Sequence, residues 1–88
     1  MGKTKNLKIV KFPTKIAVGE REVEAILFAA EEPLDIETIQ SKINKKIDVI
    51  KVLDLLKKQY ENRGVNLICT SGKWSFRTAE NLKFLMNL

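Results

Sequence analysis

The 88-residue chain predicts a small α+β domain, mostly helical, and a few spacing patterns carry that prediction. Val49, Val52, Leu53, Leu56 and Tyr60 fall at i, i+3, i+4, i+7 and i+11, which sets them on one face of a helix. After Gly64 the period changes to two. Val65, Leu67 and Cys69 share one side of a first strand, and Trp74, Phe76 and Thr78 share one side of a second. Between these strands, Ser71-Gly72-Lys73 is a glycine-centred connection that suits a hairpin.

In chain order, residues 1–17 form a basic segment in which Leu7, Ile9, Val10 and Phe12 are scattered among lysines and Pro13 interrupts any helix. It reads as a largely flexible arm, with ordering on a partner as one option. Contact with DNA through Lys3, Lys5, Lys8, Lys11 and Lys15 is one role for it, but a lysine run is a weak signal and a solvated terminus is the plainer reading. A first helix is predicted over residues 19–30, where Val23, Ile26, Leu27 and Ala30 repeat the helical spacing and Glu20, Glu22 and Glu24 lie near the positive end. Glu31-Glu32-Pro33 ends it as a solvated turn, since adjacent carboxylates on a turn seldom converge on one point.

Asp35 then caps a shorter helix over residues 36–43, with Ile36, Ile39, Gln40 and Ile43 on one face and Leu34 placed to staple onto Ile39. Asn44-Lys45-Lys46 turns the chain into the third helix, residues 48–63, capped by Asp48 and stopped by a left-handed Gly64. Residues 79–88 predict a last helix with Thr78 as cap. Its apolar residues do not keep to one face, so it needs cover from this domain, from a second copy or from further chain. Helix, helix, turn, helix, hairpin is the order of a winged helix-turn-helix: three helices, a two-stranded wing and a C-terminal helix, over residues 18–88.

Composition narrows the function classes. Cys69 is the single cysteine and histidine is absent, so an intrachain disulfide and the usual zinc sets are excluded and a reduced, cytoplasmic setting is expected. The longest apolar run, residues 25–30, is far too short for a membrane span, and the start lacks a signal-peptide apolar segment. No histidine is present for general-base work, no Ser-His or Cys-His pair activates a nucleophile, and the glycines are isolated. No enzyme, cofactor-binding residue or metal site is therefore expected. Cys69 reads as a small buried hydrophobe, and Trp74 and Phe76 as core under the wing rather than base-stacking groups.

The net charge of +5 raises the question of nucleic acid. All of the surplus lies in residues 1–16; beyond them eleven basic side chains meet eleven acids. On the third helix the outward Lys51, Asp54, Lys57, Lys58 and Glu61 alternate in sign, with i, i+4 pairs at Asp54 with Lys58 and Lys57 with Glu61, leaving Gln59, Asn62 and Arg63 as candidate base readers. That is a solvated face rather than a phosphate-facing one.

Three blocks resemble a known family, the N-terminal winged-helix domain of segregation and condensation protein B. They are Val23-Glu24-Ala25-Ile26-Leu27-Phe28-Ala29 leading to Glu32-Pro33-Leu34; Leu55-Leu56 through Tyr60, Arg63-Gly64-Val65 and Leu67; and Gly72-Lys73-Trp74-Ser75-Phe76-Arg77-Thr78. The resemblance implies a non-enzymatic adaptor of a condensin-like complex in the bacterial cytoplasm, associated with the nucleoid. Such an adaptor forms a homodimer and binds the kleisin, segregation and condensation protein A, and through it the SMC ATPase in chromosome condensation and segregation. It also implies a second winged-helix domain after this one. Ile68, Leu82, Leu85, Met86 and Leu88 are the candidate interface residues, with intradomain core as the alternative for each. The other function class is a DNA-binding winged-helix regulator that uses the arm and the third helix.

Overall fold

The computed structural model of the chain describes residues 15–87, with side chains from Gly19 onward. Helix α1 spans Lys15–Ala29 and buries Val23 and Leu27. It begins before the predicted start, because nothing in Lys15-Ile16-Ala17-Val18 breaks a helix, and Glu20, Glu22 and Glu24 therefore lie past its first turn. Gly19 is an interior residue of α1. A Cβ there would lie 2.7 Å from Ile47 Cγ2, so the glycine lets the helix approach the segment before the third helix.

After a bend at Glu31 and Glu32 the chain makes a two-residue strand, β1 (Leu34–Asp35), which has too few residues to show a period. Asp35 caps α2 (Ile36–Ser41), its Oδ1 accepting the Thr38 N–H at 2.8 Å. Asp48 caps α3 (Val49–Tyr60) in the same way, accepting the Lys51 N–H at 3.2 Å. Both predicted N-caps are present, since this contact is made within three residues of the cap.

The C-terminus of α3 differs from its prediction. Among the described glycines only Gly72 has positive φ, so Gly64 is not a left-handed stop. Instead, Asn66 Nδ2 donates to the Tyr60 carbonyl at 2.7 Å and the Arg63 N–H donates to it at 3.1 Å. A side chain from the next strand thus satisfies the end of the helix.

Strands β2 (Val65–Thr70) and β3 (Lys73–Thr78) pair antiparallel from Val65↔Thr78 to Thr70↔Lys73, and β1 joins the other side of β3, giving the order β1-β3-β2. Lys73 belongs to the ladder, so the connection is the two residues Ser71 and Gly72, at φ 53 and 79. Positive φ at both centres is the turn whose twist matches a hairpin. Three helices and this hairpin form a winged helix-turn-helix, with a third strand added to the expected wing.

The core lies between the helices and one face of the sheet: Val23 and Leu27 of α1, Ile39 of α2, Ile43, four residues of α3 and Leu67 of β2. Trp74 and Phe76 pack against it, as expected. Cys69 does not; it is exposed, because burial on β2 is confined to Leu67 and Cys69 lies two residues nearer the turn. The last element is a 3₁₀ helix, Glu80–Met86, with Ala79 at its N-cap and no buried residue. Thr78 ends β3 instead of capping it, and the scattered apolar residues give the segment no single face to bury.

Candidate protein-interaction surface

The exposed side of α1 and the sheet edge beside it form a groove of about 790 Å³. Helix α1 supplies Arg21, Glu24, Ala25 and Phe28, the bend supplies Glu31 to Pro33, and β3 supplies Ser75 to Arg77. Phe28 stands 83% exposed on its wall. It lies off the stripe of Val23, Ile26 and Leu27, and that spacing is the sequence signal for an outward aromatic residue.

At the floor, the Tyr60 hydroxyl donates to the Glu24 carboxylate, tying α3 to α1. This hydrogen bond, then burial and the charge of Glu24, raise the Tyr60 pKa above its ordinary value. The Tyr60 ring meets Phe76 at 4.9 Å between centroids in a tilted pair, and the Arg63 guanidinium lies 5.1 Å from its centroid. Arg63 is therefore occupied against Tyr60, and its Nε also donates to the Gln59 carbonyl at 3.2 Å.

A second apolar surface follows the sheet. Phe84, Leu85 and Met86 of the 3₁₀ helix are 66%, 47% and 63% exposed. Of the residues predicted for an interface, Leu85 and Met86 are thus open, Leu82 and Ile68 are half-buried, and Leu88 lies outside the described residues. Leu82 sits by Gly64, and Ile68 pairs with Ser75 on the sheet face opposite Leu67. Phe84 is an exposed aromatic that the candidate set lacked. The lysines considered for DNA are not placed with these surfaces: Lys3, Lys5, Lys8 and Lys11 lie outside the described residues, and Lys15 opens α1.

The outward face of α3 keeps its mixed charge, with Lys51, Asp54, Lys57, Lys58 and Glu61 all exposed. The predicted Asp54–Lys58 and Lys57–Glu61 pairs do not close, as expected of long solvated side chains whose pairing gains little. Among the described residues the ion pairs are Lys45 with Glu22 at 2.7 Å and Lys83 with Glu80 at 3.1 Å. No cluster of three metal-ligating side chains occurs among the described residues, and none of their helices is long and apolar enough to cross a membrane.

Comparison with known proteins agrees with this architecture. A solved structure titled as a conserved hypothetical protein from Chlorobium tepidum superposes with a TM-score of 0.72 at 23% identity, over 82% of this chain and 48% of that one. At that identity the likeness speaks for the fold, and this chain spans about half of the other's length. No curated protein sequence matches. The family model described as segregation and condensation complex subunit ScpB matches residues 21–87, most of the chain, and the chain therefore belongs to the ScpB family.

Proposed function

We propose that this domain is a dimerising, non-enzymatic adaptor module that helps its complex hold a kleisin and, through it, an SMC ATPase in the bacterial cytoplasm. The observation that carries the reading is the apolar surface of Phe84, Leu85 and Met86, which is uncovered on a folded domain whose own core is complete. Three large apolar side chains left exposed on one turn of a 3₁₀ helix support a protein contact there. Leu85 and Met86 are the centre of the proposed contact, with Leu82 and Ile68 at its edge.

A base-reading role has less support, because α3 presents charges of both signs and Arg63 is held against Tyr60. The direct test is titration of a labelled duplex with the full chain and with its K3A/K5A/K8A/K11A variant. The full chain is expected to bind weakly through the arm, losing about a hundredfold in affinity between ~50 and ~200 mM salt for ~4 phosphate contacts, and the variant to lose binding. Retained affinity in the variant would place DNA on α3 and the wing and overturn the adaptor reading.

A further inference from the structure

β3 is longer than the strand beside it. β1 pairs with Lys73 and Trp74 alone, and then the chain bends away at Glu31 and Glu32 toward α1. Alternate residues of an antiparallel strand send their N–H and C=O to opposite edges. The two-residue turn makes Thr70↔Lys73 a hydrogen-bonded pair, so Lys73, Ser75 and Arg77 face β2 while Trp74, Phe76 and Thr78 face the β1 side. Trp74 meets Leu34 there. Phe76 and Thr78 have no strand opposite them among the described residues, and this open edge borders the groove that Phe28 and Ala25 wall on the other side.

The groove is also negative at one end. The last turn of α1 has no basic residue, and the exposed Glu31 and Glu32 follow it directly. Neither is paired with a cation among the described residues. Carboxylates beside the C-terminal carbonyls of a helix face the negative end of its dipole, an arrangement that an added cation relieves.

We infer that this edge is a strand-docking site and that its occupant is the chain's own segment at residues 7–12, Leu-Lys-Ile-Val-Lys-Phe. In an extended strand the segment sets Lys8, Val10 and Phe12 on one face, which offers apolar side chains to the groove and one cation, Lys8, to Glu31 and Glu32. It also belongs to the one part of the chain with unopposed positive charge. Its reach suffices. From Lys15 to Phe28 the helix rises about 20 Å, and the seven residues back to Lys8 span about 23 Å when extended, so Lys8 reaches the acidic end while residues 9–12 lie along the groove. Docking adds a strand by main-chain hydrogen bonds, with side chains setting its preference. The arm then serves either this edge or DNA at one time, so duplex binding of the kind expected above competes with docking and is weak.

Amide hydrogen exchange on the full chain tests this, comparing it with I9D/V10D and with E31K/E32K. Phe76 and Thr78 amides are expected to be protected in the native chain, to exchange about tenfold faster or more in both variants, and to be unaffected by dilution. The Leu53 and Leu67 amides, in the core, serve as the folding control. Free exchange at Phe76 and Thr78 in the native chain, or equal protection in the variants, overturns the inference. Protection that grows with concentration also overturns it, because a second copy would then fill the edge; that outcome leaves the dimer reading standing.

Discussion

Gly19 is where one missing methyl group sets the approach of two elements. The 2.7 Å separation between a hypothetical Cβ and Ile47 Cγ2 leaves no room for a side chain without moving α1 away from α3. Gly19→Val is therefore expected to destabilise the domain by about 2 kcal/mol in urea denaturation, the overpacking cost outweighing the gain in helix propensity. Asp35 gives a pH-dependent counterpart. Hydrogen bonds from the Thr38 side chain and then its backbone, with attraction from Lys73, hold its pKa below the ordinary 3.8. A lowered folded pKa means that its contribution is present above about 3.8 and is lost as pH falls through the folded value. Asp35→Asn keeps a capping oxygen, so it should leave stability at neutral pH nearly unchanged and make the acid limb of the stability profile shallower. Both caps were legible in the sequence because capping is local. The role of Gly19 was not, since its neighbour Ile47 comes from a distant part of the chain.

At the scale of elements, the hairpin depends on Ser71 and Gly72 both having positive φ, while Thr70↔Lys73 closes the ladder. Gly72→Val places a β-branched residue at φ 79 with nothing to compensate, and is expected to cost about 1–2 kcal/mol in thermal or urea unfolding. The existence of α2, α3, β2 and β3 followed from their periods of 3.6 and two. Their ends and depths followed less well, for identifiable reasons. The stop of α3 comes from the Asn66 side chain, six residues beyond Tyr60. The face of Cys69 was correct and its burial was not, because alternation reports which way a residue points and says nothing of how far the helices extend over it. β1 has two residues, too few for any pattern.

For the whole molecule, a small domain with a closed core still leaves Phe84, Leu85 and Met86 uncovered, and its surplus positive charge lies on residues 1–16. Part of this was legible: the neutral body and the open Leu85 and Met86 follow from charge position and a helix without one apolar face. The groove was not, because it forms between α1 and the edge of β3, two elements far apart in sequence. The central claim is that this domain works through contact with a second copy, and sedimentation equilibrium of the full chain and its L85D/M86D variant tests it most directly. The account predicts a concentration-dependent dimer for the full chain at ~100 µM and a monomer for the variant, since buried charge without a partner strongly disfavours an interface. A full chain that stays monomeric at that concentration, or a variant that dimerises equally well, would contradict it.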